Sequence, residues 1–152
     1  RVDKLCSETP KGYHLALKGC YFEFFYILYA NSTARDEADR KNRARDLERT
    51  KLILSYIDEN YKEAISITDI ASYCGFSESH FMRFFKNTMG VSFVSYLNDF
   101  RLNVAARLLS SNDESILSVA ENCGFFNLSY FNRMFKKKYG VTPGKYRDNH
   151  NL

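Results

Sequence analysis

Two arginines at matched positions are the residues whose chemistry is most readable in this chain. Arg83 stands between Phe81 and Phe85, and Arg133 between Phe131 and Phe135, each phenylalanine two positions away. Phenylalanines at i and i+4 share a helix face, so when that face is buried the residue midway between them must emerge on the other side. A guanidinium held there is able to donate two parallel hydrogen bonds to O6 and N7 of a guanine in a major groove. More cations follow: residues 126–147 hold Arg133, Lys136, Lys137, Lys138, Lys145 and Arg147 and no carboxylate, whereas Asp99, Asp113, Glu114 and Glu121 come before them. A cationic face of this kind suits phosphates, and lysine contacts to phosphate add affinity without choosing a sequence. The formal net charge of +4 says less than that distribution.

Catalytic chemistry is hard to place. His14, His80 and His150 are far apart, none has a partner at metal-ligand or triad-like spacing, and no glycine-rich phosphate loop occurs. No metal, no cofactor and no enzymatic activity are therefore expected. His80 is read as packing beside Ser77 or approaching a phosphate. Cys6, Cys20, Cys74 and Cys123 show no CxxC pairing in a chain with an ample apolar core, which points to reduced thiols. Cys74 and Cys123 precede glycines at turns, where a small buried side chain explains them.

The elements that position the two arginines repeat. Ala71, Cys74, Gly75 and Phe76 recur 49 positions on as Ala120, Cys123, Gly124 and Phe125; Phe126 is then extra, and from Ser79 to Tyr96 the offset becomes 50. Self-similarity at this spacing means one supersecondary unit used twice. Each copy reads as helix, glycine turn, helix, with the first unit at about 66–90 and the second at about 115–140. Ser66 and Asp69 form a capping-box variant, Gly75 suits a left-handed turn, and Ser77 caps the helix that points Phe81, Phe84 and Phe85 inward. Between the copies, residues 95–110 form a helix with Leu97, Phe100, Val104 and Leu108 on one stripe, a strut where a flexible tether would be the alternative. Asn112 and Asp113 supply the turn and cap after it. Thr142 and Pro143 start a last short helix.

Upstream, residues 15–30 are apolar around nearly the whole helical circumference and so call for burial, either in the core of a domain or between two copies of the chain. Residues 31–46 are polar and dense in both charges, a linker that pairs of opposite charge at i and i+4 can make transiently helical; helical periodicity returns with Leu47, Ile53, Leu54, Ile57 and Tyr61. The expected organisation is an amino-terminal remnant at 1–30, a linker at 31–46 and a helical domain at 47–150. The fold class is all-α, since 152 residues with two prolines and seven glycines show no sustained two-residue alternation. A chain that opens on Arg1 reads as the continuation of a longer protein. Absence of a long apolar run argues against a membrane span, and the default location is the cytoplasm.

Residues 101–147, RLNVAARLLSSNDESILSVAENCGFFNLSYFNRMFKKKYGVTPGKYR, closely resemble the carboxy-terminal signature of the AraC/XylS family of bacterial transcription regulators. The likeness extends over about 47–148, with GF, YF, R, FKK, YG, TP and YR in order and correctly spaced. It implies two helix-turn-helix subdomains joined by a long helix, with both recognition helices entering neighbouring major-groove segments of double-stranded DNA. Carried over residue by residue, the base-facing positions are Ser79, Met82 and Arg83, then Leu128, Ser129, Asn132 and Arg133. Phosphates fall to His80, Lys86, Asn127, Lys136, Lys137 and Lys138. Met82 and Leu128 depart from a polar reader and suit thymine methyls or the exclusion of water. The resemblance also implies a sensor for a small-molecule effector in the region preceding this chain, and a homodimer through residues 15–30. It leans towards an activator and is compatible with contact to RNA polymerase. A DNA-repair fusion built on this kind of domain would need a reactive cysteine. The competing reading is a helical protein-interaction module without specific DNA readout; steep salt dependence and preference for one duplex sequence separate the two.

Overall fold

Capping chemistry sets the helix boundaries. The computed structural model describes residues 13–30, 37–111 and 113–150, with side chains described at 18–29, 40–111 and 113–149; Cys6, Asn112 and the side chains of His14 and His150 lie outside them. Eight α-helices appear among the described residues: α1 (Tyr13–Ala30), α2 (Glu37–Asn60), α3 (Ile67–Tyr73), α4 (Glu78–Met89), α5 (Phe93–Ser111), α6 (Ile116–Asn122), α7 (Leu128–Tyr139) and α8 (Pro143–His150). Ser66 accepts from the Asp69 amide at 3.0 Å to start α3, and its hydroxyl donates to the Asp69 carboxylate at 2.5 Å. Asp69 is one methylene shorter than the usual Glu and grips the cap hydroxyl. Ser77, Ser115 and Asn127 begin α4, α6 and α7 in the same way. Ser115, not Asp113, therefore caps α6. Thr142 Oγ1 accepts from the Lys145 amide at 3.4 Å, with Pro143 as the first residue of α8.

The two turns are near-copies. Phe76 N donates to Ala71 O at 2.8 Å and Gly75 N to Ser72 O at 3.0 Å; Phe125 N donates to Ala120 O and Gly124 N to Glu121 O, both at 2.9 Å. This paired arrangement needs a left-handed residue, supplied by Gly75 at φ +69° and Gly124 at φ +80°.

The chain divides into two compact units, residues 1–49 and 50–152. In the first, α1 forms as the apolar run requires, yet Phe22, Phe24, Tyr26, Ile27, Leu28 and Tyr29 remain exposed. The described residues of that unit include no second apolar helix to cover these side chains. Helix α2 starts ten residues before Leu47, so residues 37–46, read as linker, are helical. Scattered pairs of opposite charge three and four apart support such a polar helix. None of the described helices is long and apolar enough to cross a membrane.

Residues 50–152 carry two cores. Ile53, Ile57, Ile70, Ala71, Cys74, Phe76, Phe81, Phe85, Phe93 and Leu97 form the first; Leu102, Val104, Ala105, Ala106, Leu109, Val119, Ala120, Cys123, Phe125, Phe131, Phe135 and Tyr146 supply the second. Helix α5 gives its first half to one core and its second half to the other. Its buried surface is wider than the single stripe expected, since Asn98, Arg101, Leu102, Asn103, Ala105, Ala106 and Leu109 are also sealed. Arg101 explains why. Its Nε donates to Tyr61 O and its terminal nitrogen to Glu63 O, both at 2.7 Å, so a strut guanidinium clamps the carbonyls just past the end of α2. Gly124 presses on the same turn, and a Cβ there would lie 2.5 Å from Tyr61 O and 2.9 Å from both Arg101 Nε and Lys62 O. Tyr61 and Phe100 meet edge to face at 5.4 Å and touch both cores.

A Cβ at Gly75 meets nothing within 4 Å. Gly75→Ala should therefore cost only the left-handed backbone, about 1–2 kcal/mol. Gly124→Ala adds an overpacking term of about 1–3 kcal/mol. Urea denaturation of the two variants should show the larger loss at Gly124, and equal losses would refute the close approach.

Candidate nucleic-acid interface

Helices α4 and α7 are both strongly amphipathic, and the face opposite their phenylalanines repeats. Ser79, Met82, Arg83 and Lys86 occupy positions i, i+3, i+4 and i+7 of α4; Ser129, Asn132, Arg133 and Lys136 do the same on α7. Beneath them, Phe81, Phe85, Phe131 and Phe135 are sealed. Ser79, Met82, Arg83, Lys86, Leu128, Ser129, Arg133, Lys136 and Lys137 are exposed, and Asn132 is half-buried. Both guanidiniums thus stand where the spacing of the phenylalanines puts them.

The amino ends of the two helices differ electrically. Glu78 lies in the first turn of α4 and accepts from the Thr68 hydroxyl at 2.6 Å. Helix α7 has no acid in its first turn and Lys136, Lys137 and Lys138 in its last. The positive end of the α7 dipole is unneutralised, which makes the second unit the more attractive to an anion. Asn127 caps that end, accepting from the Tyr130 amide at 2.8 Å through Oδ1, which leaves its amide hydrogens as donors.

Three side chains have partners that spacing alone did not assign. Lys138 forms a salt bridge with the Asp99 carboxylate of α5, donates to Asp99 O at 3.3 Å and lies over the Tyr139 ring. It is committed to the strut, unlike Lys136 and Lys137. The Arg133 guanidinium lies 5.4 Å from the centre of the Tyr130 ring, whose hydroxyl accepts from Asn98 Nδ2 at 3.0 Å. Tyr130 and the buried Asn98 are therefore positioning residues for Arg133. Polar residues in an otherwise apolar strut were the available signal for them. The His80 ring sits edge-on to Phe76 with centroids 4.6 Å apart, and its amide donates to Ser77 Oγ at 3.4 Å.

Helix α7 is further fixed by Tyr139, whose hydroxyl donates to Asn103 Oδ1 at 2.9 Å. Asn98, Asp99 and Asn103 of α5 thus hold both ends of α7. Cys74 and Cys123 are buried, and desolvation pushes the Cys123 thiol up to about 12. A thiol so protonated is a poor nucleophile at neutral pH.

The chain matches the model of the helix-turn-helix domain family over residues 70–149. It is 32% identical over 124 residues to the regulatory protein PocR of Salmonella typhimurium, covering 80% of this chain and 41% of that protein. It is 35% identical over 102 residues to the bifunctional transcriptional activator/DNA repair enzyme AdaA of Bacillus subtilis, covering 67% of this chain and 48% of that one. The chain thus spans less than half the length of these curated relatives. Among solved structures, a transcriptional regulator of Chromobacterium violaceum described as containing an AraC-type DNA-binding domain superposes with a TM-score of 0.64 at 29% identity, covering 70% of this chain and 96% of that one.

Burial of Cys123 predicts its reactivity. At neutral pH a maleimide should leave Cys123 unmodified in the folded protein and label it after unfolding in urea, as followed by peptide mass spectrometry. Rapid labelling of folded protein would contradict the raised thiol.

Proposed function

Since the chain belongs to the AraC/XylS helix-turn-helix family, we propose that it is a sequence-specific double-stranded DNA-binding transcription regulator that reads two neighbouring major-groove segments. One observation carries this reading: α4 and α7 present the same exposed Ser, Arg and Lys register on the face opposite sealed phenylalanines. A helix of this kind fits a major groove, with residues near its amino end at base edges and cations at phosphates.

Base contact falls to Ser79, Met82 and Arg83 in the first unit and to Leu128, Ser129, Asn132 and Arg133 in the second. His80, Lys86, Asn127, Lys136 and Lys137 serve phosphates, with Lys138 reduced to a supporting part by its bond to Asp99. Residues 47–150 are the DNA-binding domain in this proposal, and 1–30 belong to a preceding sensor and dimerisation region. The exposed aromatic rows of α1 favour pairing of two copies there. A small-molecule effector bound by the preceding region, activation through contact with RNA polymerase, and a cytoplasmic location complete the reading. It includes no catalytic step.

Selection from a random duplex pool should yield two half-sites about ten base pairs apart. Arg133→Ala should cost about 1–3 kcal/mol on the selected duplex and relax choice at one base pair. An unchanged base preference would remove Arg133 from the readout. Lys137→Ala should weaken all duplexes alike and flatten the dependence of log affinity on log salt by about one unit, whereas Lys138→Ala should change that slope less. Equal slopes for the two variants would show that the bond to Asp99 does not withdraw Lys138 from phosphates. Binding with neither salt dependence nor sequence preference would favour a protein-interaction module instead.

A further inference from the structure

Phe126 is the one residue of the second turn with no counterpart in the first, where Phe76 is followed directly by the cap Ser77. Its ring is 74% exposed, the most of any large hydrophobic side chain among the described residues. It has the position of an insertion and no part in the core, which Phe125 beside it fills. The residue after it, Asn127, caps α7, and Leu128 opens that helix with an exposed apolar side chain. Two apolar groups therefore flank the amino end of the second recognition helix.

The surroundings decide what such a pair would meet. Residues 126–147 contain no carboxylate, the first turn of α7 has no acid, and Arg133, Lys136 and Lys137 lie exposed along the same helix. A surface of that charge takes a polyanion. In the major groove of a duplex, the apolar group displayed by the bases is the thymine C5-methyl, and aromatic and aliphatic side chains make apolar contact with it. The first unit has nothing comparable at this place: its turn lacks the extra residue and Glu78 occupies the first turn of α4.

We propose that Phe126, together with Leu128, is a specificity-determining residue that reads a thymine methyl in the half-site bound by the second unit. This inference rests on the DNA-reading function proposed above, and extends it to a residue of the turn and to one chemical group on the DNA. A methyl contact at the turn should then appear in the second half-site alone, separate from any that Met82 makes further along the first recognition helix.

Uracil in place of thymine removes the methyl and keeps every pairing and groove hydrogen-bonding group. Competition binding of the 152-residue chain to the selected duplex, with uracil introduced one position at a time, reads the contact directly. Wild-type protein should lose about fourfold in affinity at one second-half-site position, the worth of one buried methyl. Phe126→Ser should bind the thymine duplex correspondingly less tightly and be indifferent to uracil there, while Phe126→Leu keeps the sensitivity. Because the ring is outside the core, both variants should fold, as circular dichroism would verify. Tolerance of uracil throughout that half-site by wild-type protein, or undiminished sensitivity in Phe126→Ser, would overturn the inference while leaving the DNA-reading function intact. The same holds if Phe126→Ser alters only transcription by purified RNA polymerase, which would assign the ring to a protein partner. A chain that selects no duplex at all would instead defeat the function on which the inference stands.

Discussion

Burial of one cation holds the DNA-binding unit together. Taking a guanidinium out of water is costly, and desolvation lowers the Arg101 pKa below the usual arginine value. Two short hydrogen bonds to the carbonyls of Tyr61 and Glu63, at the electronegative end of α2, offset that cost. Removing the guanidinium would leave two inward carbonyls unanswered, so the clamp is specific as well as strong. It joins the residues that follow α2 to the strut at the point where the strut passes to the second core. With Gly124 packed onto the same turn, the second turn of the repeat is tied to the entrance of the first.

This seam changes what the repeat means. Two helix-turn-helix copies on a flexible tether would sample many relative orientations and lose entropy on engaging two adjacent grooves at once. Here the strut contributes buried residues to both cores, and Asn98, Asp99 and Asn103 reach from it to Tyr130, Lys138 and Tyr139 of α7. Orientation of the second recognition helix is consequently a property of the strut. Such pre-organisation favours a ligand with two sites at fixed spacing over one with a single site.

The copies share their turns and their paired phenylalanines and differ at several positions beside the repeated Ser, Arg and Lys register. Caps, left-handed glycines and the paired phenylalanines recur because each solves a local backbone or burial problem that is the same in both. Outside those positions, Glu78 corresponds to Leu128, Met82 to Asn132, and Phe126 has no counterpart. These differences near the amino ends of the recognition helices suit two half-sites of different sequence.

Much was legible in the residues themselves. Periodicity, turn glycines and capping serines set the helices of the two units, and the phenylalanine spacing put Arg83 and Arg133 outside, because these depend on contacts within a few positions. Partner choice across the fold was not legible. Lys138 looked equivalent to Lys136 and Lys137 until Asp99, 39 positions earlier, was brought against it. Gly75 and Gly124 looked interchangeable, and only packing against Tyr61 and Lys62 made one of them sterically obligatory. Polar residues of a strut read as an apolar stripe became its connectors for the same reason. Local sequence fixes dihedral preference and which side of a helix is apolar, whereas the identity of a neighbour distant along the chain is settled when the two cores close around a shared helix.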